Sequence, residues 1–238
     1  MSTPTYRRVL IKISGEALAG AQGTGLDFDI LNKLSAIIKR SVDEGVQVSI
    51  VVGAGNIWRG VKNGSGRIDR TRSDHMGMLG TAINALALAD VLEQHGLEVR
   101  VQTAVEMRQF AEPYIRLRAI HHLERGRVVV FGCGTGNPFC STDTAAILRA
   151  IETDSDIALL AKNIDGVYDK DPRKYDDAVK YETVSFDSIL EGHLGVIDST
   201  AATMAYDNDL PVLLFGIDDP ENIYRAVMGE HVGTIVRK

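Results

Sequence analysis

The stretch VVVFGCGTGNPFCSTDTAAILRAI, residues 128–151, decides the fold. Val128–Phe131 is a short β-branched apolar run, the residues that suit a buried strand. Glycine then punctuates the chain from Gly132 to Gly136, and Thr144–Ile151 carries helical spacing. A strand running through a glycine turn into a helix is half of a βαβ unit. Similar apolar runs stand at Val9–Ile13, Val46–Val52, Val99–Val101, Ile157–Ala161 and Val212–Phe215. Between them, Leu31, Leu34, Ile38 and Val42 fall on one helical face. The strongest helix is expected from about Asp74 to Glu93. Its Met76, Met78, Leu79, Ile83, Leu86, Leu88, Val91 and Leu92 spread beyond one stripe. Such a helix is either central to the core or packed on another subunit. The runs are nearly all apolar, which fits strands buried on both faces. The expectation is an α/β chain: a three-layer α/β/α sandwich around a mainly parallel sheet. No Pro-, Gly- or Ser-rich linker divides the sequence and no repeat occurs, so residues 1–238 read as one domain.

Three glycine-rich segments each begin where an apolar run ends, and ligands of open α/β sheets collect at the carboxyl ends of strands. The first is Lys12-Ile13-Ser14-Gly15-Glu16, where Lys12 either meets a phosphate as a compact charge or faces solvent on an edge strand. The second is Gly53-Ala54-Gly55-Asn56-Ile57-Trp58-Arg59-Gly60. It departs from G-x-G-x-x-G because Trp58 stands at the third glycine, but Arg59 adds a planar donor suited to phosphate oxygens. Asp74 beyond it caps the next helix or accepts from sugar hydroxyls. The third is Gly132 to Asp143, whose amides and hydroxyls precede a helix and form a ready anion site. Ser141, Thr142 and Asp143 are otherwise plain caps. The polar segment Asp165–Asp177, with Asp165-Gly166 and Asp171-Pro172, reads as a long loop, either a substrate lid or a solvated excursion.

Several classes fall away. G-x-x-x-x-G-K-[ST], G-x-S-x-G and H-E-x-x-H do not occur. The formal charge of −6 disfavours a general nucleic-acid binder. No stretch approaches eighteen unbroken apolar residues, and MSTPTYRRVLIKIS lacks a secretory pattern, so a cytoplasmic protein away from membranes is expected. Cys133 and Cys140 share one glycine-rich loop without zinc-ligand spacing, and read as free thiols. The six histidines, including His121-His122, are scattered and read as structural or surface groups.

Taken together, LIKISGEAL, GAGNIWRG, SDHMGML, GTGNPFCSTD, DGVYDKDP and VMGEHVGTIV resemble the amino-acid-kinase superfamily, and within it the bacterial uridylate kinases. The likeness runs from about Arg8 to Val236. It implies the amino-acid-kinase fold and transfer of the γ-phosphoryl group of ATP, with Mg²⁺, to UMP. It implies an ATP site at Lys12, Ile13, Ser14, Gly15, Gly55 and Arg59, with Asn163, Tyr168 and Asp171 around the adenosine. It implies a UMP site at the Ala54 backbone, at Asp74, and at Thr135, Gly136, Asn137, Pro138, Phe139, Cys140, Ser141 and Thr142. Lys12, Arg59, Asp143 and Asp198 match catalytic positions, the two aspartates organising charge and magnesium. A homohexamer built from dimers is implied as well, with GTP as activator, through Gly20–Gly25, and UTP as inhibitor.

Two departures stand out. The family's G-G-G-N reads Gly53-Ala54-Gly55-Asn56 here, and Leu160-Ala161-Lys162-Asn163 stands where some relatives carry lysine and threonine. The second departure leaves open whether a second catalytic lysine exists. Two rival readings remain: a superfamily kinase acting on an acyl acceptor, and an oxyanion-binding protein without catalysis.

Overall fold

The computed structural model describes residues 4–59, 67–192 and 195–238; Gly60, the last residue of the second glycine segment, lies outside them. The strands are β1 (Arg8–Ile13), β2 (Gln47–Val52), β3 (Val99–Thr103), β4 (Glu112–Pro113), β5 (Val128–Gly132), β6 (Ile157–Lys162), β7 (Val167–Tyr168), β8 (Lys180–Tyr181), β9 (Thr183–Ser185), β10 (Val212–Gly216) and β11 (Thr234–Arg237). The helices are α1 (Gly15–Ala19), α2 (Phe28–Asp43), α3 (Arg70–Gln94), α4 (Arg116–Glu124), α5 (Thr142–Glu152), α6 (Phe186–Glu191), α7 (Ser199–Asp207) and α8 (Glu221–Val227). Nine strands form one sheet in the order β4-β3-β5-β2-β1-β6-β10-β11-β9. Every neighbouring pair in it is parallel except β10 with β11.

The sheet is covered on both faces because alternate residues of each strand point to opposite sides. Val9, Ile11, Ile13, Ile50, Val130 and Leu159 join one core with α2, α3 and α8. Leu10, Val51, Val129, Phe131 and Leu160 join the other with α4, α5, α6 and α7. This is the expected three-layer sandwich.

Element boundaries moved where capping chemistry decided them. The long helix begins at Arg70, earlier than Asp74, because the Asp69 carboxylate accepts from Arg72 N–H at 3.2 Å. The first turn, Arg-Thr-Arg-Ser, has no apolar residue, so periodicity could not reveal it. Asp74 is therefore not the cap. α5 begins at Thr142, with Ser141 as its cap through Thr144 N–H at 3.0 Å. The expected loop Asp165–Asp177 is tied off by the antiparallel pair β7–β8. His121 and His122 lie within α4.

α3 is long and apolar enough, by length and composition, to cross a membrane, yet 56% of its most apolar window is buried inside the protein. It packs on β3 and β5. Gly80 lies where α3 crosses the second glycine segment: a Cβ there would sit 2.9 Å from the Ala54 Cβ. The methyl of Ala54 is thus accommodated by an absent side chain across from it. Gly80→Ala is expected to lower stability by about 1 kcal/mol. The clash costs about 1–3 kcal/mol, which exceeds the gain of about 1 kcal/mol from replacing a helical glycine. Gly77→Ala, which meets nothing within 4 Å, should show only the gain. Thermal melts of the two variants moving in the same direction would contradict this.

Candidate active site

The carboxyl ends of β5, β2, β1 and β6 lie side by side, since these four strands are consecutive neighbours. Lys12 therefore does not sit on an edge; it is central and only 8% exposed. Strand alternation decides where it points. Leu10 and Leu160 face the α5 side, so Lys12 and Lys162, two residues further along each strand, face it too. There they meet Asp143, in the first turn of α5. Lys12 Nζ lies 3.0 Å from Asp143 Oδ1, and Lys162 Nζ pairs with Oδ2.

Burial pushes the Asp143 carboxyl up, but the charges of Lys12 and Lys162 outweigh it and hold the carboxyl below its usual range. Burial lowers Lys162, which Asp143 partly offsets and Lys12 reinforces. Two ammonium groups and one carboxylate leave a net positive charge at the strand ends, beside the N-terminus of α5, whose dipole favours anions. Lys162 is the second lysine that the sequence leaves open. Its signal was period-two spacing from Leu160 at the end of an apolar strand, the same signal that marked Lys12.

Around this floor, the glycine segments close together. Ser14 caps α1, accepting from Ala17 N–H at 3.2 Å. A Cβ on Gly15 would stand 2.5 Å from the Gly55 nitrogen, so only glycine lets the first two segments touch backbone to backbone. Ile13 is wholly buried, and its carbonyl accepts from Gly53 N–H at 2.8 Å; its side chain belongs to the core and offers a ligand nothing. Arg59 pairs with Glu16 and keeps about a third of its side chain exposed.

A cleft of about 190 Å³ runs between α3 and the third segment, lined by Ala54, Gly55, Trp58, Ser73, Asp74, Gly77, Met78, Thr81, Cys133, Gly134, Thr135, Asn137, Cys140, Ser141 and Thr142. Asp74 Oδ2 accepts from Phe139 N–H at 2.9 Å, pinning the loop tip, and Arg70 holds the same carboxylate. Gly136 and Pro138 form the outer turn with Phe139, whose ring is 70% exposed. Four loop residues have positive φ: Cys133, Gly134, Gly136 and Phe139. Two of these are not glycine, the kind of backbone strain that collects at functional sites. Trp58, Met78, Thr81 and Cys133 line the cleft although neither the residue pattern nor the resemblance assigns them to a ligand site. Trp58 donates to Ser73 Oγ at 3.0 Å, and Thr81 Oγ1 accepts from Cys133 N–H at 2.8 Å.

Asp198 caps α7, accepting from Ala201 N–H at 2.8 Å, and receives the hydroxyls of Ser141 and Thr144. It braces the start of α5. The three residues expected around adenosine are less closely gathered. Asn163 lines a separate hollow of about 440 Å³ with Glu16, Gly20, Lys33 and Asp218. Tyr168 donates to Asp165 at 2.8 Å, and Asp171 accepts from Arg173 N–H at 3.0 Å. Among the described residues, no cluster of three or more His, Cys, Asp or Glu could hold a metal.

The Amino acid kinase family profile matches residues 7–216. The chain belongs to that family. Among solved structures, UMP kinase from Bacillus anthracis is 43% identical, with 98% of this chain and 96% of that one covered and a TM-score of 0.94. UMP kinase from Ureaplasma parvum is 36% identical over 98% of this chain and 99% of that one, with a TM-score of 0.92. Uridylate kinase from Archaeoglobus fulgidus is 28% identical over 96% and 99%, with a TM-score of 0.75. Family membership gives the lysine–aspartate–lysine floor a chemical context, since kinases must neutralise phosphoryl charge.

Proposed function

We propose that this chain is a UMP kinase, transferring the γ-phosphoryl group of ATP to UMP to give ADP and UDP for pyrimidine nucleotide synthesis. The observation that carries the reading is the buried Lys12–Asp143–Lys162 group beside a cleft walled by Thr135–Thr142 and Asp74. Likeness to three UMP or uridylate kinases supports the acceptor. In the reaction a UMP phosphate oxygen bonds to the γ-phosphorus as the bond to the β,γ-bridging oxygen breaks, and ADP leaves. That oxygen is already anionic, so no general base is needed. The protein's work is positioning and charge neutralisation. Lys12 and Lys162 would meet charge on the transferring group, and amides of the glycine segments would add fixed donors.

Magnesium would enter with ATP and neutralise phosphate charge. Mg²⁺ in such sites takes phosphate oxygens and waters beside one or two carboxylates, so it needs no dedicated cluster of protein ligands. Asp143 is engaged by its lysines and Asp198 by hydroxyls, so in this arrangement both order side chains before any ion. Activation by GTP rests on likeness at Gly20–Gly25 alone, and inhibition by UTP on the family resemblance. Action in the cytoplasm accords with two unpaired cysteines, and one domain accords with a sheet running from Arg8 to Arg237.

The deciding experiment is ADP release assayed with UMP, CMP, AMP, GMP or no acceptor. UMP-dependent release far above the others is expected; equal use of CMP would sink the acceptor assignment. Arg59→Ala is expected to cut turnover ten- to a hundredfold, about 1.4–2.7 kcal/mol of barrier. Its melting temperature should hold, because a pair this exposed contributes little stability. Near-normal turnover would place Arg59 outside the site.

We also propose self-association through α3, in a homohexamer built from dimers. Met76, Leu79, Ile83 and Leu86 are each 38–53% exposed on one side of the helix, and exposed apolar patches usually mark interfaces. Leu88, Val91 and Leu92 are buried within the chain and take no part. Light scattering should give a multiple of 25.9 kDa; the monomer mass would refute association, and a dimer would refute only the hexamer.

A further inference from the structure

We infer that Asn84 is a positioning residue for the glycine segment Gly53–Asn56, acting through the main chain and through Asn56; its catalytic consequence rests on the kinase reading above. Asn84 lies in the interior of α3 with no exposure to solvent and does not line the cleft. Asparagine is a poor helix former, and an amide this buried is costly unless every group finds a partner. Here the donors do. Asn84 Nδ2 donates to Gly53 O at 2.7 Å and to Asn56 Oδ1 at 2.8 Å. Asn56 Nδ2 donates to Gly25 O at 2.6 Å and to Asn84 Oδ1 at 3.0 Å.

The orientation of both amides follows from their partners. Gly53 and Gly25 each offer a carbonyl, which only accepts, so an NH₂ group must face each. The remaining oxygen and hydrogen of each side chain then pair reciprocally. The consequence falls on Ala54. The Gly53 N–H is held by the Ile13 carbonyl at 2.8 Å, and the Gly53 C=O is held by Asn84. The following peptide is trans and planar, so fixing that carbonyl turns the Ala54 N–H away from α3. Asn84 thereby sets the direction of a backbone donor in a segment that borders the cleft. Gly25 N–H, donating to Asn56 O at 3.1 Å, closes the other side.

The test combines turnover with hydrogen exchange of the full-length protein. Asn84→Ala and Asn56→Ala should each lower kcat at saturating substrates by about tenfold or more, as loosened positioning does. The double variant should be little worse than either single, because both break one network. Amide exchange in the peptide spanning Ala54–Trp58 should quicken by a similar factor while α2 is unchanged. Ile223→Val, on the buried face of α8, supplies a comparison that loses stability without losing turnover. Should Asn84→Ala fail to fold, Asn84→Ser replaces it, since a serine hydroxyl in a helix can bond the preceding turn. Unchanged kcat and exchange in the folded variants, or independent losses that multiply in the double, would overturn the inference. If the wild type makes no ADP with UMP while exchange still quickens in Asn84→Ala, the kinase reading falls and the positioning role stands.

Discussion

Asp143→Asn is expected to lower folding stability by about 3–5 kcal/mol, the scale set by breaking a buried ion pair from one side, and to remove most turnover. The carboxylate stands between two lysine ammonium groups whose side chains are only 10% and 16% exposed. Without it they face each other in a poorly solvated space. Urea unfolding near neutral pH measures the loss, and a midpoint equal to wild type would refute the claim. The pH dependence gives a second check. Lys12 and Lys162 hold the native Asp143 carboxyl below its ordinary range against the opposing effect of burial. Its contribution is therefore complete above the unfolded value of about 3.9 and is lost as pH falls through the lower native value. The gap in stability between wild type and Asp143→Asn should narrow below about pH 4. A gap that widens there would mean the sign of the shift is wrong.

Lys162→Met separates stability from catalysis. Turnover should fall at least about a hundredfold, near 2.7 kcal/mol of barrier, because one of two charges on the phosphoryl path disappears. Melting temperature should hold or rise. Burial already lowers the Lys162 pKa, so the folded state gains by shedding that charge, and Asp143 keeps Lys12 at 3.0 Å. Steady-state kinetics with a thermal melt tests both halves. Turnover within threefold of wild type would remove Lys162 from the phosphoryl path, and a melt lowered as far as that of Asp143→Asn would make it a structural residue.

The two variants share one carboxylate and are expected to move stability in different directions, which no single-residue reading of the sequence foresees. Lys12 was legible because a lone lysine interrupts an apolar strand just before Ser14-Gly15. Lys162 carries the same mark of period-two spacing from Leu160, but the spacing alone does not say that its strand ends beside Lys12.

The sequence by itself determined the layers. Short apolar runs ending in glycine specify parallel strands buried on both faces, and helical spacing between them specifies the covering layers. It also located the three segments that carry candidate ligand groups, because close backbone approach needs glycine at Gly15 whatever surrounds it. The tertiary structure alone decided which groups meet. Helix starts depended on side-chain caps at Asp69 and Ser141 that have no periodic signature. The pairing of Lys12, Lys162 and Asp143 depended on β1 and β6 becoming neighbours. The fit of Ala54 against Gly80 and the amide pair Asn56–Asn84 depended instead on α3 packing over the segment that follows β2. Hydrophobic pattern is a local property of sequence, whereas ion pairs, packing and buried hydrogen bonds are made between distant residues, and only the folded chain brings those together.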